Sequence, residues 1–164
     1  EKIGKSLFQL VDEAINIVID TRQREGKKIK KMLTERCSKI KKIINNVRKQ
    51  MPTILKNVRK KLTQRIQEIS NELNDDRLEQ ELLFLSQKMD IEEEIDRLNA
   101  HVDEVIRVID QKEPIGRRLD FLMQEMNRES NTLGSKSNHI YTSNASVELK
   151  VLIEQMREQI QNIE

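Results

Sequence analysis

The sequence has 164 residues, 35% of them charged and 2% aromatic, with only four Gly and two Pro. That composition excludes a β-sandwich, a barrel or a Rossmann unit, which draw on β-rich or glycine-rich segments, and it predicts an all-α chain of long helices. The formal net charge of +2 conceals a segregation: seventeen basic residues stand against two acidic ones over 21–65, and eleven against twenty-two over 66–164.

The first apolar stripe, Leu7, Leu10, Val11, Ile15 and Val18, has helical spacing and resumes with Ile29, Met32, Leu33, Cys37, Ile40, Ile44 and Val47. The polar stretch between them contains Gly26, which costs about 1 kcal/mol inside a helix and predicts a kink or bend there. Pro52 predicts a helix end near Gln50. A second basic helix then carries Ile54, Val58, Leu62, Ile66, Ile69 and Leu73 to a break at Asn74-Asp75-Asp76. The two basic helices are expected to pair as an antiparallel hairpin, a basic arm over residues 1–76.

A C-terminal helical domain is expected over 77–164. Its first helix is predicted from Arg77 to Asp110, on a seam of Leu78, Leu82, Leu85 and Met89, then Ile91, Ile95, Leu98, Val102, Val105 and Ile109, with a register jump between Met89 and Ile91. After a turn at Glu113-Pro114-Ile115-Gly116, a helix over about 117–129 packs through Leu119, Leu122, Met123 and Met126. Residues 131–146 read as polar and weakly structured. A last helix over about 147–163 carries Leu149, Leu152, Met156, Ile160 and Ile163. The long seams resemble coiled-coil seams and suggest helix contacts between subunits.

The positive block has two readings. Like charges at this density repel one another unless an anion is near, and a phosphate backbone would supply one. The same cations could instead dock onto the acidic half of the chain. The polar face of Asp90, Glu94, Arg97 and His101 is equally two-sided. Spacings of 4, 3 and 4 put carboxylates and an imidazole on one helical face, as a divalent cation requires; they also permit simple ion pairs with Arg97, from Glu93 and Glu94. Glu125 and Glu129 share a face on the next helix, beside a stripe of Asp120, Gln124 and Arg128, and Arg117-Arg118 could clamp phosphate.

Three exclusions narrow the chemistry. Gly134-Ser135-Lys136-Ser137 lacks the first glycine of a phosphate loop and no strand precedes it, so no nucleoside triphosphate site is expected. One cysteine, Cys37, cannot form an internal disulfide or a thiolate zinc cage, and the expected setting is the reducing cytoplasm. No apolar run approaches the roughly 20 residues that cross a bilayer, so no membrane partner is expected. The first residue is Glu rather than Met, and the sequence is expected to be a piece of a longer chain.

Taken together, these motifs resemble the YicC/YloC family of bacterial endoribonucleases along nearly the whole chain. Arg22-Gln23-Arg24-Glu25-Gly26 is similar to its arginine-glutamate-glycine signature. Gln80-Glu81, Lys88, Asp90 to Glu94, Arg97-Leu98 and His101 are similar to its central motif. The long ungapped block from Gly116 to Asn138 is its most specific feature, and Glu148-Leu149-Lys150 and Arg157 to Glu164 match its C-terminus. The stretch His139 to Ser146 departs from a family segment that begins with Asp.

The resemblance implies a cytoplasmic, divalent-metal-dependent endoribonuclease (Mn²⁺ or Mg²⁺) that hydrolyses single-stranded RNA, small regulatory RNA among its substrates, and assembles as a homo-oligomer. It also implies a mixed α/β N-terminal domain not contained in this chain. Metal would be held by residues chosen from Asp90, Glu94, His101, Glu125 and Glu129, and catalysis would involve Glu94, His101, Asp120, Glu125 and Glu129. RNA would be bound by Arg22, Arg24, Lys27, Lys28, Lys30, Lys31, Lys41 and Lys42 on the arm, with Arg97, Arg117, Arg118, Arg128 and Lys136 near the scissile phosphate. The competing expectation is a non-catalytic helical module that binds RNA or drives oligomerisation. The short connection at Glu113-Pro114 predicts antiparallel helices, with Glu125 level with His101 and Glu129 level with Arg97.

Overall fold

The computed structural model describes residues 2–69, 79–80, 83–84, 90–111, 113–136 and 139–161, with no account of the side chains of 2, 3, 5 and 66–69. The expected end of the seam at Leu73, the break at 74–76, and Leu78, Leu82, Leu85, Met89 and Lys88 lie outside the described residues, as do the side chains of Ile66 and Ile69. Among the described residues the chain is all-α. Four helices are defined, α1 (Lys2–Ile69), α2 (Glu92–Ile109), α3 (Gly116–Lys136) and α4 (Ile140–Ile160).

α1 corrects two expectations. Its 68 residues pass through both Gly26 and Pro52 without a break, so no hairpin turn stands at residue 50. At about 1.5 Å per residue the helix is roughly 100 Å long. Its buried positions, Leu33, Cys37, Ile40, Ile44, Val47, Met51 and Ile54, repeat at alternating steps of four and three, one seam that runs across the proline. Pro52 itself is exposed. A proline inside a helix costs about 3 kcal/mol. Burial of Met51 and Ile54, immediately flanking it on the seam, returns about 1.5–3 kcal/mol each. Gly26 lies where nothing within 4 Å would meet an added Cβ, so no close approach demands a bend there.

The other three helices close a ring with this seam. α1 touches α2 and α4, and α3 touches α2 and α4, which is the neighbour pattern of a four-helix bundle. Lys30 pairs with Asp110, Lys41 with Asp103, and Arg48 with Asp96 and with Glu92 at 2.7 Å. Partner numbers fall on α2 as they rise on α1, so the two helices run antiparallel. The first part of α1 stands outside this ring, and its Leu7, Phe8, Leu10, Val11, Ile15 and Val18 are exposed in the single chain.

The single long helix expected over 77–110 is also corrected. Asp90 and Ile91 are non-helical and α2 begins at Glu92. The Asp90 carboxylate accepts the Glu92 N–H at 3.1 Å, and Glu92, Glu93 and Glu94 fill the first turn, where the helix dipole favours negative charge. The register jump in the sequence is therefore a helix start.

Residues 131–146, expected to be weakly structured, are mostly helix. α3 runs to Lys136 and α4 starts at Ile140. The hydroxyls that made this stretch look like a loop are satisfied inside the interface. Ser130 Oγ donates to the Met126 carbonyl at 2.8 Å, Ser146 Oγ to the Ser130 carbonyl at 2.7 Å, and Thr142 Oγ1 to the His139 carbonyl at 2.7 Å. His139 caps α4, its Nδ1 accepting the Tyr141 N–H at 3.2 Å.

Two predictions follow from this packing. A Cβ on Gly134 would lie 2.6 Å from Ser146 Oγ and 3.1 Å from its Cβ, across a backbone-close contact of α3 and α4. Gly134→Ala is expected to lower unfolding free energy in denaturant by about 1–3 kcal/mol, and adding Ser146→Ala should not restore it fully because the Cβ contact remains. Cys37 is buried on the α1 seam, and burial pushes its thiol up to about 11. Its neutral form therefore supports the fold below pH 9, and that support is lost as pH rises through about 11. At neutral pH an aromatic disulfide reagent should label Cys37 only at the rate of unfolding.

Candidate functional site

The short segment between α2 and α3 turns the chain back on itself, and three sequence-distant groups meet across the two helices. His101 on α2 and Glu125 and Glu129 on α3 each offer a ligand atom, all within 4.8 Å of one another. His101 and Glu125 are half-buried and Glu129 is buried. Glu125 is level with His101, and Glu129 reaches Arg97, one turn earlier on α2, whose Nη1 donates to Glu129 Oε1 at 3.3 Å. The second Arg97 nitrogen, Nη2, donates to Glu93 Oε1 at 2.5 Å. Hydrogen bonds from these two carboxylates, Glu93 first, raise the Arg97 pKa further above its ordinary value, so the guanidinium is a fixed positive charge beside the cluster.

The donor set, one imidazole nitrogen and two carboxylates, suits Mn²⁺ or another borderline divalent cation better than Ca²⁺. Arg97 occupies only Oε1 of Glu129, at 3.3 Å, and no ion pair of Glu125 is formed among the described residues. Two carboxylates so close together carry more negative charge than one guanidinium, itself shared with Glu93, compensates. The residues present therefore fit a divalent cation.

Other expected site residues are placed elsewhere. Asp90 caps the start of α2 and lies outside the cluster. Glu94 is buried and takes Lys136 Nζ on Oε1 at 2.7 Å, while its Oε2 is buried without a hydrogen-bond partner. Asp120 faces α4: it accepts Gln124 Nε2 at 2.8 Å and Arg157 Nε at 3.4 Å. Arg118 pairs with Glu104; Arg117 and Arg128 are exposed.

The basic arm divides by face. Lys30 and Lys41 are spent on α2 carboxylates, whereas Lys27, Lys28, Lys31 and Lys42 are exposed with no ion pair among the described residues. Arg24 hydrogen-bonds to the Asp20 carbonyl and to Thr21. Arg22 is exposed. The docking reading thus holds for Lys30 and Lys41, and the exposed lysines lie on the adjoining, outward part of the same helix.

Glu104 was missed by the sequence reading, although its spacing to Arg107 was visible. Hydrogen bonding from Arg107 is the main cause that brings its carboxyl down to about 2, with Arg118 adding to it. It stays ionised through any physiological pH and ties α2 to the first turn of α3. Arg48 and Arg157 were likewise missed, because their partners lie on distant segments.

The fold and cluster define the class: an all-α bundle with an imidazole–dicarboxylate centre next to a guanidinium, and a free cationic stripe on a long helix. The chain belongs to the YicC-like endoribonuclease family, whose description "Endoribonuclease YicC-like, C-terminal" matches residues 47–164. It is 44% identical over all 164 residues to a probable endoribonuclease YicC of Haemophilus influenzae, of which it covers 57%. It is 40% identical over 161 residues, 96% of its length, to a probable endoribonuclease YicC of Clostridioides difficile, of which it covers 55%. The chain thus spans little more than half the length of these relatives. No helix among the described residues is long and apolar enough to cross a membrane.

The Glu94–Lys136 pair gives a stability prediction. Lys136→Met leaves a buried carboxylate with no partner on either oxygen. The expected cost is about 2–3 kcal/mol, below that of a fully buried pair because Lys136 is 34% exposed. Adding Glu94→Gln should return part of it, measured as a shift in the denaturation midpoint.

Proposed function

We propose that this chain is the helical part of an endoribonuclease that hydrolyses single-stranded RNA with a divalent cation held by His101, Glu125 and Glu129. The convergence of these three side chains supports the reading, together with the names of the relatives. A bound cation would neutralise charge on the scissile phosphate and lower the pKa of an attacking water. Arg97, held from both sides by Glu93 and Glu129, presents a fixed positive charge to the same phosphate. Lys27, Lys28, Lys31 and Lys42 hold the RNA backbone by counterion release, without reading its sequence. Action in the cytoplasm and assembly of several copies belong to the same proposal.

A second reading rests on the Arg97–Glu129 contact, which alone would make the cluster a structural ion-pair network in a module that binds RNA and leaves it intact. Labelled single-stranded RNA with Mn²⁺, or with chelator, separates the two. Glu125→Gln is expected to reduce metal-dependent cleavage about 100-fold or more with little change in thermal stability. Full activity with Glu125→Gln and His101→Ala combined would remove the cluster from catalysis. Changing the four free lysines to Ala is expected to weaken binding and to flatten the log–log salt slope by about 3. An unchanged slope would exclude the arm as the RNA surface.

A further inference from the structure

On the other flank of α3 lies a cleft of about 380 Å³ between α3 and α4. Met123, Gln124, Asn127, Arg128, Asn131 and Arg157 line it. We propose that this cleft is a nucleobase pocket, which seats one base of the RNA strand whose phosphate lies at the His101–Glu125–Glu129 cluster. The assignment takes RNA to be the ligand of the chain, as proposed above.

The chemistry of the lining carries the assignment. Three carboxamides, Gln124, Asn127 and Asn131, line the cleft over a floor closed by the buried Met123. Asn131 Nδ2 donates to Asn127 Oδ1 at 3.0 Å. That bond leaves the pair with a free amide donor on Asn127 and a free carbonyl acceptor on Asn131. Reversing both amides leaves the same complement. A donor next to an acceptor matches the Watson–Crick edge of each RNA base, so the pocket holds a base without strict choice among the four.

The charged members have distinct parts. Asp120 binds both Gln124 and Arg157 and fixes the end of the cleft. Arg128 is exposed and has no carboxylate partner among the described residues, so its planar guanidinium can lie against a base. A simple anion site would leave the carboxamides without a role.

Position links the cleft to the cluster. Asn127 and Arg128 follow Glu125 by two and three residues, and Asn131 follows Glu129 by two. Cleft and cluster are therefore level along the helix axis, on opposite flanks of α3, about 10 Å apart. A strand crossing the exposed ridge of α3 would put phosphate on one flank and base on the other.

The test is binding of a short single-stranded RNA to the full chain by fluorescence anisotropy, in chelator, so that no cleavage intervenes. The oligonucleotide is compared with a set in which one nucleotide at a time is abasic. The native protein should lose about tenfold in affinity at one abasic position. Asn127→Ala with Asn131→Ala should weaken binding of the intact strand and erase that penalty. A penalty that persists unchanged in the double variant, or no position-dependent penalty in the native protein, overturns the pocket and leaves the RNA reading standing. No binding of any strand by the native protein overturns both. Circular dichroism and the unfolding midpoint of the double variant, unchanged, would attribute the loss to the cleft rather than to the fold.

Discussion

Everything at the candidate centre depends on the turn between α2 and α3. His101 is 24 residues from Glu125 in the sequence, and no local geometry could bring them together. The chain reverses between α2 and α3, and the apolar stripes of the two helices then bury each other, Leu98, Val102 and Val105 on one and Leu119, Leu122 and Met126 on the other. Once those stripes are in contact, the rise of about 1.5 Å per residue fixes which polar positions face one another at the rim. The cluster of imidazole and carboxylates is a consequence of apolar register.

The same logic orders the charges. The seam of α1 sets which lysines and arginines look toward α2. Those that do, Lys30, Lys41 and Arg48, meet Asp110, Asp103, Asp96 and Glu92 in an antiparallel ladder. Exposed ion pairs of this kind contribute little each, but they choose the direction and register in which α1 docks. The cations left on the outer face, Lys27, Lys28, Lys31 and Lys42, have no carboxylate partner among the described residues.

A different constraint operates between α3 and α4. Their contact is built from Gly134, Ser130, Ser146, Ala145 and Thr142, small residues that let two backbones approach. Hydroxyl groups there donate to carbonyls of their own or the neighbouring helix, so none is buried at the cost of a lost hydrogen bond.

The sequence by itself determined the all-α class, the seams of α1 and α2, and the pairing of His101 with Glu125 and of Arg97 with Glu129. Helical periodicity and a short connection are local quantities, and together they fix an antiparallel register. It did not determine where helices stop. Pro52 and Gly26 carry local penalties that burial of Met51 and Ile54, or open space around the glycine, outweighs. The small polar residues of 131–146 have loop-like composition, and only the facing helix supplies the surface that makes them an interface. Tertiary structure alone decided that Glu94 pairs with Lys136, that Asp120 turns to Arg157, and which lysines of the arm are spent. Each of those choices depends on a partner from a distant segment, and a charge pattern along one helix does not state what will stand opposite it.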